Sequence, residues 1–126
     1  MRIGELSQIT GCPIGTIRFY ESKGLLKSIA RNLGGQRIYT SSDLKRLQLI
    51  MACRSNGIKL ECIVRVIQFM DNPQLGSEWL LQNVENYLSE LQKQRESLDR
   101  AEKYLRQIHK KLTQKQILDD GYSTNE

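Results

Sequence analysis

The chain opens with short apolar repeats separated by glycine and proline. Ile3, Leu6 and Ile9 recur at helical spacing, so residues 2–10 read as a short helix with those three side chains on its inner face. Gly11 suits the left-handed conformation that ends such a helix. Pro13 fits the first turn of a second helix, which carries Ile14 and Ile17 inward and stops near Lys23-Gly24. Two short helices joined by a glycine-containing turn make a helix-turn-helix over residues 2–24. Ile29 and Ile38 then flank Gly34-Gly35, and Tyr39 closes the run, which is a hairpin pattern over 28–39. A hairpin in that place is a wing, with Arg31 and Arg37 on either side of its tip. Thr40 and Asp43 form a T-x-x-D capping box for a helix over 41–56. Leu44, Leu47, Ile50 and Met51 mark its apolar face, and Gly57 stops it. A fourth helix over 60–70 presents Ile63, Val66 and Ile67, and Asp71-Asn72-Pro73 breaks it. Residues 1–72 thus read as one winged helix-turn-helix domain.

The pattern changes after residue 76. From Ser77 the apolar positions alternate by three and four: Leu80, Val84, Tyr87, Leu91, Gln94, Leu98, Ala101, Leu105, Ile108 and Leu112. This is a heptad seam, and the helix over 76–112 would be roughly 50 Å long. A helix with one such stripe and charged flanks buries it against a like partner, which implies a homodimer; the alternative is a long helix folded against its own domain. Gln94 in the seam lowers stability and helps to fix register. Residues 113–126 are polar apart from Ile117, Leu118 and Tyr122, and they read as a short helical turn followed by a flexible tail.

Composition sharpens this division. Residues 1–70 hold eleven Lys/Arg against four Asp/Glu, a balance of +7, whereas residues 71–126 hold eight against ten, a balance of −2. A basic head on a near-neutral extension suits a nucleic-acid-binding domain with a separate dimerisation element. No apolar run approaches the roughly 18 residues of a membrane span, and the start MRIGELSQ lacks the layout of a signal peptide. The expectation is a cytoplasmic protein without a membrane partner. Cys12, Cys53 and Cys62 are odd in number and form no C-x-x-C pair, which argues against a disulfide framework and a zinc knuckle. With one histidine and no nucleophile–base set or phosphate-cradling loop, enzyme chemistry and a bound cofactor are not expected.

The second helix of a helix-turn-helix enters the DNA major groove by its N-terminal part. With Ile14, Ile17 and Phe19 packed inward, Thr16, Arg18 and Tyr20 would face double-stranded DNA. A guanidinium can pair with guanine or clamp a phosphate, and hydroxyls take phosphates. The alternative for Tyr20 is a half-buried core aromatic with a wet hydroxyl.

The stretches IGELSQITGCPIGTIRFYESKGLL, GGQRIY and LKRLQLIMACRSNGIKLECI resemble the MerR-type transcription regulators, over about seventy residues and in the same order. The resemblance implies a mainly α fold: a winged helix-turn-helix followed by a long dimerisation helix in an antiparallel coiled coil. It implies a homodimer on a pseudo-palindromic promoter operator, which activates by bending and untwisting DNA and so acts on RNA polymerase indirectly. It places DNA contacts at Thr16, Arg18, Phe19 and Tyr20, at Arg31, Gln36 and Arg37 of the wing, and at Arg54. Gln36 stands where the family often has tyrosine, and Lys59 where a Ser or Thr often caps the fourth helix. A constitutive or architectural DNA-binding protein is the alternative.

Within that family, ACRSNGIKLECI and the DNP segment look most like the cadmium- and lead-responsive branch. The branch holds soft metals through cysteines at places that correspond here to Ser77, Leu112 and the region of Asp120-Gly121. No cysteine follows Cys62. Soft cations need thiolates for tight binding, so a thiolate metal site is not expected. The candidates left for an effector are an organic ligand near Ser77 and Trp79, thiol chemistry at Cys53 if Arg54 lowers its pKa, or no effector. Trp79 packed against the fourth helix and a structural Cys53 are the plainer alternatives.

Overall fold

A computed structural model of the protein describes residues 1–27 and 31–124. The chain forms two units, Met1–Glu85 and Asn86–Glu126. The first contains α1 (Ile3–Thr10), α2 (Ile14–Ser22), α3 (Ser41–Ser55), α4 (Leu60–Asp71), a 3₁₀ turn (Pro73–Leu75) and the start of α5 (Glu78–Thr124).

Helix α1 ends where Gly11 adopts a φ of 75° and donates its N–H to Ser7 O at 2.8 Å, an αL cap. The turn into α2 is tied by its own hydroxyls. Ser7 Oγ donates to Cys12 O at 2.6 Å, and Thr10 Oγ1 accepts from Cys12 N at 3.2 Å. Helix α3 begins on the expected capping box: Asp43 Oδ2 accepts from Thr40 N at 2.8 Å, and Thr40 Oγ1 accepts from Asp43 N at 3.3 Å. Asp43 is buried, so the box satisfies groups that water cannot reach. Lys59 sits at the N-cap of α4 without a side-chain cap.

One core joins these elements. Leu6 of α1, Ile17 of α2, Leu25, Tyr39, Leu47 and Ile50 of α3, and Ile67 of α4 are essentially fully buried. Each aliphatic side chain removed from water this way contributes about 1.5–3 kcal/mol. Ile9, expected inside, is 57% exposed; it lies in the last turn of α1, just before the chain turns away at Gly11. Between α2 and α3 the described residues form a single antiparallel bridge, Arg31 with Arg37, and no longer strand. The first side of the expected wing, residues 28–30 with Ile29, lies outside the described residues.

The second unit is the continuation of α5. The helix does not stop at Leu112 but runs to Thr124, through the segment expected to be a tail. Residues 113–120 contain neither glycine nor proline, so nothing in TQKQILDD breaks the helix. Thr113 Oγ1 also bonds back to His109 O at 2.8 Å. Every seam position from Leu80 to Leu112 is on α5, and Leu98, Leu105, Ile108 and Leu112 are all more than half exposed.

Candidate nucleic-acid interface

Successive residues of a helix are turned by about 100°. In α2 this puts Tyr20 on the same side as Ile17 and sends Phe19 to the opposite side. Ile17 and Tyr20 are buried, Tyr20 at 8% exposure, while Phe19 is 46% exposed; Ile14, on the Ile17 side in the first turn, is left 38% exposed. This corrects the expected inward Phe19 and outward Tyr20, an order that alternated sides over 16–20 as a strand would, and favours the alternative of Tyr20 as a core aromatic. The outer face of α2 carries Arg18 and Phe19, with Lys23 Nζ 5.6 Å from the Phe19 ring centroid. Thr16 is half-buried.

The wing is braced by Asn32 and Gln36. Asn32 N donates to Gln36 O at 2.8 Å, Gln36 N to Asn32 Oδ1 at 2.9 Å, and Asn32 Nδ2 to Gln36 Oε1 at 3.3 Å. Arg31 Nη1 donates to Gly35 O at 3.1 Å across the same turn. The base of the wing is tied to the start of the chain: Met1 N donates to Tyr39 O at 2.8 Å and Tyr39 N to Met1 O at 2.6 Å. The wing is also tied to α2. The Tyr39 hydroxyl donates to Glu21 Oε1, and Arg37 Nη1 pairs with Glu21 Oε2.

These elements enclose an open cleft of about 580 Å³, lined by Arg2, Ile3, Arg18, Glu21, Ser22, Gln36, Arg37 and Tyr39. Three guanidinium groups share it with one carboxylate, a setting for phosphate oxygens and base edges. Of the expected DNA-contacting residues, the cleft gathers Arg18, Gln36 and Arg37. Thr16, Phe19, Tyr20, Arg31 and Arg54 do not line it, and Arg54 Nη1 instead donates to Ile58 O at 3.2 Å. Sequence reasoning missed Arg2 and Glu21. Arg2 precedes the first helix, where no periodicity points to it, and the partners of Glu21 are eighteen and sixteen residues away.

The effector candidates lie elsewhere in the first unit. Ser77 Oγ accepts from Leu80 N at 3.1 Å and so caps α5. Trp79 takes the Arg65 guanidinium of α4 on its ring, with the carbon 4.5 Å from the centroid. Beside Ser77 is an apolar groove of about 430 Å³, lined by Val66, Phe69, Met70, Leu80, Leu81 and Val84 among others. Burial pushes the thiols of Cys12, Cys53 and Cys62 above the ordinary range, and at Cys62 the neighbouring Cys53 and Glu61 push the same way. Burial at Cys53 works against an activated thiolate, and Arg54 gives Nη1 to the Ile58 carbonyl. The places that the family resemblance assigns to soft-metal ligands, at Ser77, Leu112 and around Asp120-Gly121, carry no cysteine. Ser77 offers a hydroxyl already used as a cap, Leu112 has no donor atom, and among the described residues no group of three metal-ligating side chains comes together.

A helix-turn-helix, a short wing and a basic cleft between them define a DNA-binding regulator. The family model described as MerR HTH family regulatory protein matches residues 1–69. The chain is 36% identical over 107 residues to the HTH-type transcriptional regulator ZntR of Escherichia coli K12, covering 79% of this chain and 76% of ZntR. Among solved structures, the transcription regulator PbrR691 of Ralstonia metallidurans CH34, in complex with lead(II), matches with a TM-score of 0.60 at 35% identity, covering 83% of this chain and 81% of that one. HiNmlR, a MerR family regulator lacking the sensor domain and bound to promoter DNA, matches with a TM-score of 0.64 at 27% identity, over 79% and 76% of the two chains. The chain belongs to the MerR family of helix-turn-helix regulatory proteins; it is a transcription regulator and not an enzyme. No helix among the described residues is long and apolar enough to cross a membrane.

Proposed function

We propose that this regulator binds a pseudo-palindromic promoter operator as a homodimer in the bacterial cytoplasm, and activates by distorting the DNA between polymerase elements. The observation that carries the reading is the convergence of Arg2, Arg18 and Arg37 on one cleft between the recognition helix and the wing, in a chain of this family. Phosphate contacts from these groups supply the binding energy that offsets bending of the duplex. Dimerisation follows from the row of exposed leucines at heptad spacing on α5, a stripe too long to stay in water on a single chain. RNA polymerase is affected through the promoter. HiNmlR, seen on promoter DNA, supports the DNA reading.

The effector is not a thiolate-bound metal. PbrR691 was seen with lead(II), and what supports a different effector here is that the positions the family resemblance assigns to soft-metal ligands hold Ser77, a helix cap, and Leu112. The apolar groove beside Ser77 is the place that suits an organic effector.

Selection of duplexes from a random pool by the purified protein tests the reading. A two-fold symmetric sequence should be enriched, with affinity that falls steeply with salt. Enrichment of no sequence above background would refute promoter-specific binding.

A further inference from the structure

We propose that Glu21 is a positioning residue for DNA binding: it holds Arg37 of the wing against the recognition helix, so that the guanidinium presents its remaining N–H groups to a phosphate in the cleft. This rests on the reading of that cleft as the DNA-facing surface.

A carboxylate on such a surface is a liability by charge alone, because it repels phosphate. Glu21 is nevertheless placed there with its side chain only 5% exposed. Removing a carboxylate from water is unfavourable unless its oxygens find strong donors. Oε1 takes the Tyr39 hydroxyl as a hydrogen bond, and the charge at Oε2 is met by the Arg37 guanidinium as an ion pair. Tyr39 is a rigid anchor, since it is 2% exposed and its backbone is paired in both directions with Met1. Arg37 is different. Its side chain is 45% exposed, so it is tethered on one side and open to solvent on the other. A guanidinium has five N–H donors in a fixed plane, so an anchor at Nη1 also fixes the direction of the rest. The described wing has only one bridge, Arg31 with Arg37. Besides the Met1–Tyr39 backbone pair, the wing is thus tied to α2 through Glu21, which meets Arg37 and Tyr39, two residues apart on one side of the wing.

The test uses the full chain, its selected operator and a scrambled duplex of equal length. Glu21→Gln removes one negative charge from the basic face. Electrostatics alone predicts tighter binding to both duplexes and an equal or steeper salt dependence. Positioning predicts the reverse on both: affinity falls roughly tenfold, the size of coupling expected within one charge network, and it falls for operator and scrambled duplex alike, because a phosphate contact is common to every sequence. The salt slope drops by about one, as for loss of one phosphate contact. Arg37→Ala should show the same drop, and the double variant should be no worse than either single one. Should Glu21→Gln not fold, Glu21→Asp keeps the charge on a shorter arm and should show the same losses. Operator affinity and slope at or above wild type in a folded Glu21 variant, or losses that add in the double variant, overturn the proposal. If the wild-type chain selects no duplex, the reading of the cleft fails first, and this proposal with it.

Discussion

Arg46 holds Asp71 with both terminal guanidinium nitrogens, Nη2 at 2.7 Å from Oδ1 and Nη1 at 3.3 Å from Oδ2. Lys27 Nζ adds a contact to Oδ2 at 3.1 Å. The carboxylate thus ties α3 to the end of α4 and to the segment after α2. The hydrogen bonds from Arg46, with Lys27 assisting, outweigh desolvation and hold the Asp71 carboxyl below the usual carboxylate range. A depressed folded-state pKa contributes stability that is present above the unfolded value, about 3.9, and lost as pH falls through the folded value. Asp71→Asn should therefore lower stability by about 1 kcal/mol at pH 7, a figure kept small because the pair is partly solvated. The gap between variant and wild type in thermal melts should close as the pH is taken below 4. A gap that persists in acid would show that packing, not the ion pair, carries the effect.

Phe19 and Tyr20 are adjacent, with ring centroids 5.9 Å apart, yet they do different work. Tyr20→Ala empties part of the core and should lower stability by about 3 kcal/mol. Phe19→Ala removes an exposed ring from the outer face of α2 and should stay within about 0.5 kcal/mol of wild type. Arg18→Ala should weaken operator binding by about 1–3 kcal/mol if its fork reads a base, again without a shift in melting. Denaturant melts and operator titrations on the same three preparations separate the two roles. Equal melting of all three would refute the inward assignment of Tyr20.

What could be read from the sequence was what is local. The Thr40–Asp43 box, the glycine that ends α1 and the limits of α4 are each decided within a few residues, and the structure has them in place. The long helix of α5 could be read because a period sustained over many turns leaves little ambiguity. The sides of α2 could not, because in a nine-residue helix a shift of one residue exchanges Phe19 with Tyr20. The end of α5 was misjudged for another reason: polarity marks exposure, not loss of helix, and 113–124 is polar and helical at once. Glu21 with Arg37 and Tyr39, and Arg46 with Asp71, join residues far apart in the chain, which no local pattern announces.

Leu98 is 69% exposed on α5, in the middle of the seam. A leucine so placed adds nothing to a single chain and matters only when a second one covers it. Leu98→Asp puts a charge into that seam and should convert the dimer to monomers in light scattering, with the melting of the Met1–Glu85 unit little changed. Operator binding should fall with it, since half-sites are then engaged singly and the gain from linked binding is lost. A dimer that survives Leu98→Asp would place the interface on another face of α5.

Cys53 is half-buried, Cys12 and Cys62 are buried, and all three thiols have their pKa raised by burial. A raised thiol pKa means less thiolate at neutral pH, which slows both alkylation and soft-metal capture. Cadmium or lead bound by several thiolates gives an ultraviolet charge-transfer band that saturates at a fixed ratio. Reduced protein titrated with either ion at pH 7 should show no such saturating band, and alkylation should be slower than for a free thiol and should quicken as the pH is raised. Cys53 should react first, as the most accessible of the three. Its removal by Cys53→Ser should leave operator binding unchanged, because it lines no part of the basic cleft. A band that saturates at one ion per chain would instead mean that cysteines of this domain open to form a site, and the effector would then be a metal after all.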